Sequence, residues 1–131
     1  MTKTITRWDK EEEFTSFHDG NAIKIDGNRK NGHGPKALLL SGLAACSGID
    51  VVEILQKMRV EFSGLEILVE AEQTDEHPKV YRDINVIYRL KTDPANADKV
   101  KKAIDLSLDK YYGVSAMLKK NSPIHYKMEL L

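Results

Sequence analysis

The chain has 131 residues, of which 41% are hydrophobic, so it suits a single domain over residues 1–131 with a core of its own. The 20 basic and 20 acidic residues give a net charge of zero, without the basic excess of a nucleic-acid-binding protein, and we expect no nucleic-acid partner. One cysteine excludes an internal disulfide, and the first residues, MTKTITRWDKEEEF, lack the apolar segment of a signal peptide, so we expect a cytoplasmic location.

The first 26 residues have the pattern of short strands. Aromatic and β-branched residues recur at short intervals in KTITRW, EFTSFH and NAIKID, and Asp19-Gly20 is a typical turn pair. The pattern predicts a small hairpin or meander. The following segment, DGNRKNGHGP at 26–35, is rich in Gly and Asn and predicts a loop.

A long helix is predicted from Lys36 to about Met58, after Pro35 at a favourable first position. Its first half is apolar on nearly every side, so we expect it to be enclosed by its own protein or by a partner. Asp50 and Glu53 favour a buried helix over a membrane span, and we expect no membrane partner. Small residues predict the close approach of another backbone: Ser41, Gly42, Ala45 and Gly48.

The second half of the chain alternates between strand and helix patterns. Residues 65–74 and 80–92 have apolar side chains at every second position and predict two paired antiparallel strands. A helix is predicted over 93–112, beginning at Asp93-Pro94 and ending at Gly113. A short turn at 114–120 and a strand at 124–131 complete the order β-β-β-α-β-β-α-β, an α+β arrangement.

No metal or cofactor site is indicated. The four histidines, at 18, 33, 77 and 125, have no partner at ligand spacing, and the chain contains no H-E-x-x-H or C-x-x-C motif. We therefore expect no metal and no cofactor.

Cys46 is the one residue that raises a chemical question. A free cysteine often packs as a small hydrophobe. An ordinary thiol is mostly protonated at pH 7, and the helix dipole fades beyond the first turn, so a cysteine in mid-helix gains little from it. Asp50, one turn later on the same face, would oppose thiolate formation. The residues alone leave a core role and a catalytic role open.

Three segments together resemble the OsmC/Ohr family, and its small OsmC-like branch most closely. They are GPKALLLSGLAACSGIDVV at 34–52, EHPKVY with DINVIYRL at 76–90, and AIDLSLDKYYGVSAML at 103–118. They occur in the family's order, and the resemblance runs from about residue 3 to the C-terminus.

The resemblance implies an α+β fold in which antiparallel sheets wrap around two central helices in an intertwined homodimer. It implies thiol-dependent reduction of organic hydroperoxides, and Cys46 matches the peroxidatic cysteine. In the family this cysteine forms a sulfenic acid, a second cysteine resolves it as a disulfide, and an external thiol reduces the disulfide. An arginine and a glutamate support the first cysteine.

The other parts of that site do not match. The second cysteine of the family motif falls on Tyr112, which cannot form a disulfide. The glutamate falls near Lys36 or Ala37, and neither is acidic. The arginine has no clear match, and Arg7 and Arg29 are the candidates to replace it. Two-cysteine turnover within one chain is therefore excluded.

Three functions stay open from the sequence. The first is a weak or degenerate one-cysteine peroxidase that uses Cys46 and an external thiol reductant. The second is a protein that binds a small apolar ligand at the dimer interface, with Tyr111, Tyr112 and Asp50 as polar residues of the pocket. The third is a structural protein in which Cys46 only packs.

Overall fold

A computed structural model describes residues 1–109 and 113–131. The chain divides into two compact units, Met1–Leu39 (the first unit) and Leu40–Leu131 (the second unit). Each is described by itself below. Two predicted pocket residues, Tyr111 and Tyr112, lie outside the described residues.

The first unit contains the predicted meander. β1 (Ile5–Lys10), β2 (Glu13–His18) and β3 (Asn21–Asp26) form an antiparallel sheet in the order β1-β2-β3. The turn between β2 and β3 places Asp19 and Gly20 at φ values of 47° and 80°. Asp and Gly tolerate this left-handed conformation, so the turn pair that was predicted from sequence is confirmed.

The loop after β3 is organised by one carboxylate. Asp26 is buried, and it accepts hydrogen bonds from the backbone N–H groups of Asn31 at 3.0 Å, Asn28 at 2.8 Å and Lys30 at 3.1 Å. These bonds, and chiefly the one from Asn31, lower the pKa of the Asp26 carboxyl. The predicted loop is thus confirmed as a segment that leads into the long helix.

The long helix, α1, spans Pro35–Lys57 and begins and ends within one residue of its predicted bounds. By length and composition alone it could also cross a membrane, a property that core helices of soluble proteins share. Leu43, Val51 and Leu55 are almost fully buried and belong to the core of the second unit. This packing agrees with the core helix that was predicted from sequence.

The second unit is built on a three-stranded sheet in the order β4-β5-β6. β4 (Ser63–Gln73) and β5 (Tyr81–Lys91) pair antiparallel as predicted, and the predicted inward side chains of β5 are fully buried: Ile84, Val86, Tyr88 and Leu90. β6 (Ile124–Leu130) lies parallel to β5. The sheet is therefore mixed, whereas antiparallel sheets were expected. The helical segment between β5 and β6 lets the chain return to the same end of the sheet, as a parallel pairing requires.

The described residues between β5 and β6 contain two α-helices. Asp93 caps a 3-10 turn (Pro94–Asn96) by accepting the Ala95 N–H at 2.9 Å, and α2 (Ala97–Asp109) follows. The predicted turn at 114–120 is instead a short helix, α3 (Val114–Lys119), and Gly113 is the residue that precedes it. The prediction of a turn was therefore wrong, because a segment of seven residues is too short for its apolar pattern to distinguish a short helix from a turn.

Candidate functional site

Cys46 lies in the middle of α1 with its side chain partly exposed. Its sulfur lies against Gly113, because a Cβ atom added to Gly113 would be only 2.8 Å from Cys46 Sγ. Gly113 also has a φ of 79°, which disfavours any residue with a Cβ atom. Both the conformation and the space at position 113 therefore require glycine, and this glycine makes room for the thiol.

An open apolar groove of about 680 Å³ runs along α1 and β4 within the second unit. Its polar lining includes Ser41 and Glu53. The apolar and small residues that line it include Ala44, Ala45, Gly48, Ile49, Leu65 and Ile67. The volume falls within the range of about 300–1,000 Å³ that is usual for small-molecule sites.

Cys46 itself does not line this groove, but it directly follows Ala45, which does. Glu53, which also lines the groove, lies about two helical turns after Cys46 on nearly the same face of α1. Cys46 therefore belongs to a face of α1 that adjoins the groove.

Two glycines of α1 differ in how closely the side chains of other elements approach them. Gly48 is buried, and a Cβ atom there would lie 3.0 Å from Ile67 Cδ1, so β4 packs tightly against the helix at this point. At Gly42 the nearest atom, Val114 Cγ2, would be 3.9 Å away, an ordinary contact. The sequence predicted the close approach of another backbone, whereas the group that approaches Gly48 is the Ile67 side chain.

A set of hydroxyl groups is buried next to α1. Ser47 Oγ hydrogen-bonds to Tyr88 OH and, at 2.9 Å, to Ser107 Oγ. Ser107 Oγ in turn donates to Asp50 Oδ2 at 3.3 Å. Ser107 Oγ also lies 3.3 Å from the Ser47 carbonyl oxygen, a second acceptor for its proton. All three hydroxyl-bearing residues are at most 3% exposed, so these hydrogen bonds compensate the loss of water. We call these four residues the hydroxyl chain.

Burial changes the pKa of the tyrosine in the hydroxyl chain. Removal from water raises the pKa of Tyr88 to about 12, a rise that the hydrogen bond with Ser47 partly offsets. The Tyr88 ring also makes an edge-to-face contact with Tyr126, with centroids 6.2 Å apart. The hydroxyl group of Tyr126 donates to Asp105, and this bond, with a further one from Lys101, lowers the pKa of the Asp105 carboxyl.

The residues predicted for the site fall in different parts of the chain. Cys46 and Asp50 belong to the second unit, where Asp50 is bound by Ser107 and is not among the residues that line the groove. The candidate arginines belong to the first unit, where Arg7 stacks 5.1 Å from the centre of the Phe17 ring and Arg29 lies beside Gly34. Lys36 and Ala37 also belong to the first unit.

Sequence reasoning missed the hydroxyl chain. Ser47 directly follows Cys46, but Tyr88 and Ser107 are 41 and 60 positions away from it, and no local pattern marks such a contact. The sequence contained one weak signal. Ser107 lies on the apolar stripe of α2, and a buried serine hydroxyl needs a hydrogen-bond partner. Among the described residues, no group of three or more His, Cys, Asp or Glu side chains could hold a metal ion.

A family model described as OsmC-like protein matches residues 27–127, more than three-quarters of the chain. The chain belongs to the OsmC-like family. It is similar to Protein YhfA of Escherichia coli strain K12, with 33% identity over 113 residues that cover 86% of this chain and 84% of YhfA.

Solved structures share the fold of this OsmC-like chain. An OsmC-like protein from Mycoplasma pneumoniae superposes with a TM-score of 0.86 at 21% identity, and the match covers 100% of this chain and 97% of that one. The organic hydroperoxide resistance protein OhrB of Bacillus subtilis superposes with a TM-score of 0.66 at 18% identity, over 98% of each chain. At these identities the likeness establishes the OsmC-like fold.

Proposed function

We propose that this OsmC-like protein is a one-cysteine, thiol-dependent reductase of organic hydroperoxides with Cys46 as the attacking group. The observation that carries the proposal is the position of the chain's sole thiol, partly exposed on a face of α1 that adjoins an apolar groove. The groove would hold the organic part of the hydroperoxide, and the thiol would meet the peroxide oxygen. Relatives of the same fold that are described as hydroperoxide resistance proteins support the reaction class.

The chemistry requires no second cysteine in the chain. The Cys46 sulfur attacks the terminal peroxide oxygen, the O–O bond breaks, and the alcohol leaves, so the sulfur becomes a sulfenic acid. An external thiol then displaces water from the sulfenic acid to give a mixed disulfide, and a second thiol releases Cys46 and forms the external disulfide. This route needs a reducing setting, in keeping with the predicted cytoplasmic location.

We also infer that the protein acts as a homodimer. The open side of α1 leaves Ile49 60% exposed, and the first unit leaves Trp8 62% and Ile23 51% exposed. Exposed large apolar side chains on each unit are candidates for contact with a partner. A second copy of the chain is the occupant that the family resemblance implies.

Consumption of tert-butyl hydroperoxide in the presence of dithiothreitol tests the catalytic proposal. We expect wild-type protein to accelerate the reaction and Cys46→Ala to reduce the rate to that without protein. Ser63→Ala, a change of similar size at an exposed position of β4, is the matched control and should keep the wild-type rate. Equal rates for wild type and Cys46→Ala would reject the proposal.

The groove itself favours a second candidate function, the binding of a small apolar molecule without chemistry. Its volume and its largely apolar lining suit such a ligand. Native mass spectrometry of the purified protein distinguishes the two functions. A bound apolar molecule together with a thiol that does not react with hydroperoxide would favour binding.

A further inference from the structure

The groove beside α1 is long for its volume. Its residues on α1 begin at Ser41 and end at Glu53, a separation of about 18 Å along the helix. Leu65 and Ile67 of β4 complete the lining. A volume of about 680 Å³ spread over this length is a narrow space. The shape suits a linear aliphatic chain, which at about 1.2 Å per bond would span the groove with roughly 15 bonds.

One end of the groove carries a negative charge. Among the described residues that line the groove, Glu53 is the charged one, and the others are small or apolar. Glu53 is exposed, and the ion pairs within the described part of the chain do not include it. Its carboxylate therefore acts on any charge that a ligand brings to that end of the groove. A second carboxylate is repelled there, whereas an uncharged group is not.

We propose that the groove accepts linear aliphatic hydroperoxides without a negative charge, such as esters of fatty-acid hydroperoxides, and that Glu53 is the specificity-determining residue that excludes the free acids. The inference rests on the proposed peroxidase function, because it names the substrate class of that site. A carboxylate that leaves water for an apolar groove loses hydration, and Glu53 adds repulsion to this cost. The chain has a net charge of zero, so a preference of this kind would arise at the groove rather than from the whole protein.

Binding of unreactive probes tests the charge preference without any peroxide chemistry. Decylammonium, decan-1-ol and decanoate share one chain and differ in the charge of the head group. In isothermal titration calorimetry at low salt, we expect wild-type protein to bind them in that order, with decanoate at least about tenfold weaker than decan-1-ol. Added salt should reduce the difference, because Glu53 is exposed and salt screens its charge.

Two substitutions of Glu53 and one control locate the effect. Glu53→Gln should raise the affinity for decanoate relative to decan-1-ol about tenfold, and Glu53→Lys should reverse the order so that decanoate binds most tightly. Glu66→Gln is the matched control. Glu66 is an exposed residue of β4 between Leu65 and Ile67, so its side chain lies on the opposite face of the strand. Loss of the same charge there should leave the wild-type order unchanged.

The same preference should appear in the reaction. With dithiothreitol as the reductant, kcat/KM of wild type should be higher for the hydroperoxide of methyl linoleate than for that of linoleic acid. Glu53→Gln should raise the ratio of acid to ester about tenfold, and Glu66→Gln should leave this ratio unchanged. Thermal unfolding of each variant shows whether the fold is retained.

The outcomes separate this inference from the proposed function. If wild type binds decanoate as tightly as decan-1-ol, or if Glu53→Gln leaves their ratio unchanged, the role of Glu53 is rejected whether or not the protein reduces hydroperoxides. If none of the three probes binds, the inference is also rejected, and a second copy of the chain is the remaining occupant of the groove. If the probes bind in the expected order but wild type and Cys46→Ala consume hydroperoxide equally, the proposed function and the hydroperoxide class fail, while the charge preference of the groove stands.

Discussion

The two sides of α1 have different surroundings within the second unit, although the sequence is apolar on both. On one side Leu43, Val51 and Leu55 are at most 1% exposed and pack into the core. On the other side Ile49 is 60% exposed above an open groove. A helix that is hydrophobic all round requires cover on every side, and the described residues of the second unit cover one side. The difference assigns stability to the core side, and it leaves the groove side free for the association and ligand contact that we propose.

The largest expected effect is a loss of stability on the core side. Leu43→Ala removes a fully buried side chain and should lower the free energy of unfolding by about 2–5 kcal/mol. Chemical denaturation at several protein concentrations measures the change. Because the lost packing lies within one chain, the loss should appear at every concentration, and a loss below about 1 kcal/mol would contradict the assignment of Leu43 to the core.

The hydroxyl chain should make stability depend on pH in the alkaline range. An unfolded tyrosine ionises near pH 10, whereas folded Tyr88 has a pKa of about 12. Between these values the unfolded chain has lost a proton that the folded chain keeps, so stability is present below pH 10 and falls as the pH rises toward 12. The slope due to Tyr88 should approach about 1.4 kcal/mol per pH unit.

Urea denaturation of wild type and Tyr88→Phe between pH 8 and pH 12 measures this contribution. The difference in free energy of unfolding between the two proteins should be constant below pH 10 and should shrink above it. A difference that stays constant over the whole range would show that the Tyr88 phenol is not buried in the manner described.

The loss of stability on replacing Gly113, which lies against the Cys46 sulfur, should depend on whether the thiol is present. Gly113→Ala introduces a Cβ atom 2.8 Å from Cys46 Sγ and places it at a φ of 79°. Gly113 has a ψ of −133°, so this conformation is one that a residue with a Cβ atom rarely adopts. The backbone strain alone should cost about 1–3 kcal/mol, and the contact with sulfur should add to this. In a Cys46→Ala background the contact is absent, so the cost should fall to the strain alone. Equal costs in both backgrounds, measured by thermal unfolding, would place the thiol away from Gly113.

The smallest effect on the stability of the single chain is expected on the groove side. Ile49→Lys should change the free energy of unfolding of the monomer by less than about 0.5 kcal/mol, because the side chain is largely exposed. It should shift a dimer toward monomer in sedimentation velocity, since it places a charge on the proposed interface. Leu68→Lys, at a 37% exposed position on β4, is the control and should leave the oligomeric state unchanged. An Ile49→Lys protein that sediments as wild type would exclude the groove side of α1 from the interface.

Sequence periodicity identified the elements because each one buries a face of its own. The alternation in β5 predicted that Ile84, Val86 and Tyr88 point inward, and the run from Lys36 predicted α1 to within one residue at each end. The parallel pairing of β6 was not predictable in this way. Whether β6 pairs parallel or antiparallel with β5 depends on the end of the sheet to which the intervening helices bring the chain back. The residues of a single strand do not indicate this.

The candidate site was predictable only in part. A resemblance to a family located Cys46, whereas the composition of α1 could not tell its groove side from its core side. Ser107 and Tyr88 reach Ser47 only through the packing of α2 and β5 against α1, so their hydrogen bonds had no sequence signature. The groove likewise depends on how closely β4 approaches α1, which the tight contact between Gly48 and Ile67 determines.

The central claim is that Cys46 reacts with an organic hydroperoxide, and the mass of the intact protein after one equivalent of tert-butyl hydroperoxide tests it most directly. Wild type should gain one oxygen atom, trapped on Cys46 by a sulfenic-acid reagent and removed by added thiol, while Cys46→Ala should gain none. A wild-type protein that gains no oxygen, or a Cys46→Ala protein that gains as much, would contradict the account.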